Sequence, residues 1–169
     1  MPELPGYLDL MGAGHLLGYI IGLFTLGALM SRFFSGKIAD RAGRKIVMVF
    51  GTSVTAIAGF LYVMLGAVSD YSTGMLGVWL FLALRFFHGL STGFRPIGSS
   101  ALLTDIVPHD RRGEALGFLG VAGNAGMAGG PAIGSYLAVE WGYDSMFLAS
   151  SFLGILSLLF TLKLPETLP

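Results

Sequence analysis

The sequence predicts an all-α integral membrane protein, and three observations predict it. Of 169 residues, 54% are hydrophobic and only 12% charged, against about 25% charged in a soluble domain. Five long apolar runs recur, each near the ~20 residues that cross a bilayer. The basic residues outside those runs all fall on one side of the resulting topology. The formal charge is zero, so the chain carries no electrostatic footprint for nucleic acid. Cysteine is absent, which excludes disulfides and thiolate metal sites. The first ten residues hold no Lys or Arg, so the basic n-region of a cleavable signal peptide is missing.

The first expected span is Leu10 to Ser31, with His15 as its only ionisable group. Ile46 to Val68 is the second and has no charged residue. Gly74 to about Thr104 is the third; it is long and contains Arg85, His88 and Arg95. The fourth, Ala115 to Val139, is rich in Gly, and the fifth, Ser145 to Leu162, is the shortest. The segments between them are brief, so the chain reads as one transmembrane helical bundle with no soluble domain. Arg32, Lys37, Arg41, Arg44, Lys45, Arg111, Arg112 and Lys163 fall on one side, while Glu3, Asp9, Asp70, Glu140 and Asp144 occupy the other. Basic loops stay in the cytoplasm, so the N-terminus is expected outside and the C-terminus inside.

The stretch Gly36 to Lys45 carries four basic residues and one acid between two apolar runs. It reads as a tight cytoplasmic loop turned by its two glycines, which accept positive φ. Its pattern G-x-x-x-D-R-x-G-R-K is met at Gly36, Asp40, Arg41, Gly43, Arg44 and Lys45. This resembles the signature loop between the second and third helices of the major facilitator superfamily; a generic basic cytoplasmic loop is the plainer reading.

Arg85 lies about a dozen residues into its apolar run. A cation at that depth costs about 3 to above 10 kcal/mol, so it must face the bundle interior or a watery cavity and have a partner. Leu84 to Leu90 resembles the superfamily's second signature, an Arg followed four residues later by Gly, with His88 where Gln is common. The resemblance implies a part for Arg85 in proton coupling; the alternative is a structural Arg bonded to backbone carbonyls. His88 is one turn away. It reads as a neutral, hydrogen-bonded histidine, with a proton relay as the alternative. Pro96 removes a helix hydrogen bond and should kink the third span. Arg95 before it either snorkels to lipid phosphate or points into a cavity and attracts an anion.

Gly126, Gly130 and Gly134 recur every fourth residue and make a smooth helix face suited to close packing in lipid. With Pro131 they resemble the glycine-proline signature of the superfamily's antiporters, and Ser135 stands where a final Gly is usual. Asp105 with Arg111-Arg112-Gly113 resembles the fourth-to-fifth helix connection. Asp40, Asp105 and Arg112 are thereby implied in a cytoplasmic charge network; solvated loop charges worth under about 1 kcal/mol are the alternative. Leu164-Pro165-Glu166-Thr167 resembles the exit from the sixth helix.

The resemblance implies helices two to six of the N-terminal half of a transporter in the inner (plasma) membrane of a bacterium. Its partners would be the lipid bilayer, a small-molecule substrate and protons as the coupling ion. Pro2 to Tyr7 reads as an outer loop after a first helix, so a first helix and a second half are expected as further partners, and the chain alone is not expected to transport. Proton-coupled efflux by antiport is the expected activity. Uptake by symport and a non-transporting assembly module are the alternatives. No carboxylate pair, activated nucleophile or metal-ligand spacing suggests an enzyme, a cofactor or a metal site. No Asp or Glu lies deep in any expected span, so the coupling acid is not identified.

Overall fold

In the computed structural model, residues 4–10, 12, 14–69 and 74–168 are described. Glu3 and Asp70, two acids of the expected outer face, lie outside them, as do Met11 and Ala13 of the first expected span. A short helix α1 (Leu4–Leu10) and a 3-10 turn (Gly14–Leu16) lead into five long helices. These are α2 (Leu17–Ala42), α3 (Arg44–Ser69), α4 (Gly74–Ile106), α5 (Arg112–Trp141) and α6 (Tyr143–Lys163). Leu4 to Tyr7, expected as loop, is therefore helical, though too short to cross a membrane. Among the described residues, four helices are long and apolar enough to span a bilayer: those of Gly14–Ala42, Arg44–Gly66, Leu76–Ile106 and Tyr143–Lys163. The fifth, α5, has spanning length, but its glycines dilute its apolar character.

The expected ten-residue loop is not a loop. Helix α2 runs through Gly36 and on to Ala42, and only Gly43 departs from helical geometry, at φ 122°. The reason is local: Lys37, Ile38, Ala39, Arg41 and Ala42 all tolerate helix, and nothing after Gly36 breaks it. Gly36 does not turn the chain; Gly43 does so alone, in a conformation that side-chain-bearing residues avoid. Gly142, at φ 84°, makes the equally abrupt passage from α5 to α6. Its N–H donates to the Ala138 carbonyl and so closes the end of α5. Pro96 and Pro131 both sit inside continuous helices.

Helix α4 packs between α2 and α3, α6 lies on the other side of α3, and α5 leans mainly on α6. Small residues bring the backbones together. A methyl added to Gly27 of α2 would come within 2.5 Å of the Phe86 carbonyl of α4. One added to Gly51 of α3 would meet the Ser91 carbonyl of α4 at 3.0 Å. One on Gly154 of α6 would lie 2.8 Å from the Ala56 Cα of α3. Three of the four helix contacts in the row α2–α4–α3–α6–α5 are thus backbone-to-backbone, as helices need when lipid gives no hydrophobic drive between them. Tyr62, Phe81 and Phe147 form the aromatic centre of the core, with Tyr62 ring centroids 5.3 and 5.1 Å from the other two. Large apolar side chains such as Phe33, Phe87, Phe118 and Phe152 point outward. On a soluble protein that much exposed apolar surface would demand a partner; on helices of spanning length it is surface for lipid or further helices to cover.

The glycine face of α5 behaves differently. Among the described residues nothing lies within 4 Å of a methyl built on Gly126 or Gly130, and only Met146 approaches Gly134, at 3.6 Å. Gly154→Leu is therefore expected to lower the thermal midpoint of the purified chain in detergent by wedging α3 from α6, a cost of about 1–3 kcal/mol or more. Gly130→Leu is expected to leave that midpoint unchanged or slightly raised, because Leu favours helix over Gly. Equal losses for the two variants would show that α5 packs more closely than it does here.

Candidate functional site

Four helix ends converge at one end of the bundle, the end that carries Asp40, Arg44, Asp105 and Glu166. The break at Gly43 exposes the first N–H groups of α3, which have no partner within the helix. Glu166, beyond the end of α6, supplies one: its Oε1 accepts from the Arg44 N–H at 2.9 Å and its Oε2 from the Lys45 N–H at 3.1 Å. An anion at a helix N-terminus is also favoured by the helix dipole. The carboxylate sits directly over Gly43, where a side chain would collide with it. Burial alone would push the Glu166 carboxyl up. The N–H donors of Leu168, Arg44, Thr167 and Lys45 outweigh that and hold it below the usual carboxylate range.

The side chains of Arg44 and Lys45 do the converse work at helix C-termini. Arg44 Nη1 donates to the Ala39 carbonyl of α2 at 2.7 Å, and Lys45 Nζ donates to the Leu162 carbonyl of α6 at 2.7 Å. Cations belong at those ends, where carbonyls are unpaired. Arg44 also reaches Asp105 at the end of α4, with Nε 3.0 Å from Oδ2, and Asp40 one turn back on α2 at 3.3 Å. Thr167 donates its hydroxyl to the same Asp105 oxygen at 2.7 Å. Arg44 is thus the hub among the signature residues. Arg41 is exposed, and Gly36 is half-buried within α2. Arg112 bonds locally, to the Val107 carbonyl and the His109 ring. Glu166 was read in the sequence only as part of the Leu164–Thr167 exit from the last helix, and nothing local marked it as the cap of α3.

Within the span, Arg85, His88 and Tyr62 form a second cluster. Arg85 and His88 lie one turn apart on the inward face of α4 and are only 6% and 7% exposed. The Arg85 guanidinium stacks over Phe24 of α2, 4.6 Å from the ring centroid, a cation–π contact strengthened by burial. The Tyr62 hydroxyl of α3 belongs to the same cluster and lies within the electrostatic reach of Arg85; its oxygen is 3.3 Å from His88 Nδ1. Phe24 meets the His88 ring edge-on at 5.6 Å. The cluster ties three helices together through one buried cation. His15 lies apart, exposed in the 3-10 turn. Arg95 is exposed and borders a cleft between α4, α5 and α6. Gly126, Gly130, Pro131 and Gly134 line α5, away from both clusters.

Comparison with known proteins gives a consistent picture. The sequence profile of the Major Facilitator Superfamily matches residues 1–169. Multidrug resistance protein MdtG of Serratia proteamaculans is 36% identical over 170 residues, covering 97% of this chain and 38% of that protein. Quinolone resistance protein NorA of Staphylococcus aureus is 28% identical over 165 residues, covering 97% of this chain and 40% of that protein. Among solved structures, the proton:xylose symporter XylE bound to 6-bromo-6-deoxy-D-glucose superposes with a TM-score of 0.81 at 17% identity. That match covers 96% of this chain and 40% of XylE, and it speaks to the fold alone. The chain thus spans about two fifths of the length of these relatives.

The Glu166 cap has a pH signature. A carboxyl whose folded pKa is depressed contributes stability above its unfolded pKa and loses it as pH falls through the folded value. The Arg44 and Lys45 amides are therefore expected to be protected from hydrogen exchange at neutral pH and to lose protection below the ordinary carboxylate range, ~pH 4. In Glu166→Gln the neutral-pH protection should fall by about threefold, on the scale of an exposed charge interaction, with the pH step abolished. Exchange at residues 43–47 that is indifferent to both changes would remove Glu166 from the cap.

Proposed function

Since the chain belongs to the major facilitator superfamily, we propose that it is part of a proton-coupled exporter of small amphiphilic molecules. It is an integral membrane protein, and its place is the inner membrane of a bacterium. The observation that carries the efflux reading is the 36% identity to a multidrug resistance protein over nearly the whole chain; the likeness to a quinolone resistance protein supports the same substrate class. In this reading the chain supplies helices of one half of the transporter. Export proceeds by rocking that half against a complementary half, with substrate near the bilayer midplane between them.

The two clusters would divide the work. Arg85 stays charged at any working pH, so it does not carry the proton. It provides a fixed positive field inside the span, which lowers the proton affinity of a nearby acid and makes proton release responsive to movement of the helices. Tyr62 and His88 hold it in place. At the cytoplasmic face, Asp40, Arg44, Asp105 and Glu166 clamp the ends of α2, α3, α4 and α6, so these helices move as one body. The glycine face of α5, open among the described residues, is the surface across which a neighbouring helix would slide.

Two experiments test this reading. Everted vesicles from cells carrying the gene in its native context should accumulate a quinolone when a proton gradient is imposed. Arg85→Ala should reduce that accumulation by about tenfold or more while membrane insertion stays normal, and Arg85→Lys should be nearly as poor, since an ammonium cannot reproduce the planar guanidinium contacts. Full accumulation in Arg85→Ala would exclude Arg85 from coupling, and gradient-driven movement in the opposite direction would favour uptake. Orientation is tested with single cysteines at exposed positions in intact cells. Asp144→Cys should react with a membrane-impermeant thiol reagent and Ala42→Cys should not; the reverse pattern would invert the topology.

A further inference from the structure

Arg95 stands inside a span, and among the described residues no carboxylate lies at ion-pair distance from it. About 15 Å of helix separate it from Asp105 in the charged end of the bundle. Its backbone is packed against α3: a methyl added to Gly51 would meet the Arg95 nitrogen at 3.1 Å. The side chain is nonetheless exposed, because α4, α5 and α6 do not close on one another at this level. They leave one cleft of about 510 Å³, and Arg95 borders it together with Met48 of α3, Leu119 and Gly123 of α5 and Ser157 of α6.

The lining of this cleft is chemically one-sided. No Asp or Glu borders it, so Arg95 is its single charge. An ionisable side chain within a span is costly, and it marks the path of a charged ligand when no protein partner neutralises it. The ligand that fits carries a negative group. A carboxylate can accept two parallel N–H bonds from the planar guanidinium, and Ser157 adds a hydroxyl to the same cleft. The volume excludes a small inorganic anion as the natural occupant, since clefts of ~300–1,000 Å³ take whole organic molecules. Met48 and Leu119 offer an apolar body the contact that water would not. We propose that this cleft binds an amphiphilic carboxylate, with its anionic group on Arg95 and its apolar part against Met48 and Leu119. Only the naming of that ligand as a substrate rests on the exporter reading; the binding site itself rests on the unpaired cation and the cleft.

The test is equilibrium binding of a quinolone acid that lacks a basic amine, and of its methyl ester, to membranes from cells expressing the gene in its native context. Membranes without the gene give the blank. The acid should bind about fivefold or more tighter than the ester, on the scale of a hydrogen bond to a charged group. Arg95→Gln should weaken the acid by about that factor and leave the ester within about twofold. Arg95→Lys, which keeps the charge but not the fork, should fall between the two. Retained ester binding in Arg95→Gln separates a lost charge from a lost fold. Gly123→Leu places a side chain where nothing lies within 4 Å of its Cβ, so it should fill the cleft and weaken acid and ester alike. No binding above the blank, equal affinity for acid and ester, or an unchanged acid affinity in Arg95→Gln would each overturn the proposal. The exporter reading fails separately: acid binding would be intact, yet an imposed proton gradient would move none of it.

Discussion

Helices in hydrocarbon gain almost nothing by hiding apolar side chains from one another, because lipid solvates those side chains equally well. What remains is close backbone approach, and the bundle rests on it. Gly27 against Phe86, Gly51 against Ser91 and Gly154 against Ala56 set the spacing of α2, α4, α3 and α6. Once the backbones are that close, the buried hydroxyls have carbonyls within reach. Thr52 donates to Met48, Ser91 to His88 and Thr161 to Ser157, each within its own helix. The seams are thus smooth, with these hydroxyls bonded back to their own helices, although the Ser35 and Ser151 hydroxyls are buried without a hydrogen-bond partner among the described residues. The tight seams also make it possible to bury Arg85: the Gly27 contact holds α2 and α4 close enough for Phe24 to cover the guanidinium.

The class of fold was legible because composition and hydropathy are additive properties, readable without knowing which residues meet. The failures came where partners had to be named. Gly36 and Gly43 look alike in a sequence, but only Gly43 has left-handed geometry, and helix propensity carries α2 through the residues between them. The regular Gly126–Gly130–Gly134 spacing on α5 drew attention as a packing face; among the described residues only Met146 approaches it, at Gly134. The seams that bind the bundle are made instead of mixed Gly, Ser and Ala on different helices. Their spacing is visible, but which pairs face one another is set by helix rotation and by no local pattern.

The site was legible in part. Burial of Arg85 followed from the cost of an uncompensated cation, and the structure supplies the compensation in Phe24 and Tyr62. Tyr62 itself carried no signal, being one aromatic residue among many in α3. The signature residues were read as equivalent members of a loop, whereas the geometry makes Arg44 the hub and leaves Arg41 exposed. Glu166 was out of reach because its partner Arg44 lies 122 residues away in sequence.

That separation bears on how the protein is made. A spanning segment enters the bilayer as the ribosome delivers it, but the start of α3 cannot receive its carboxylate until the chain beyond α6 has emerged. At about 5–20 residues per second, the interval is roughly 6–24 s. Through that time Arg44 and Lys45 begin a helix whose first amides are served only by water at the membrane surface. This end of the bundle is therefore completed late relative to α3, because the contact that completes it joins the start of α3 to residues beyond α6. The charge cluster acts as a latch on assembly: it can form only after every helix it clamps is already in the membrane.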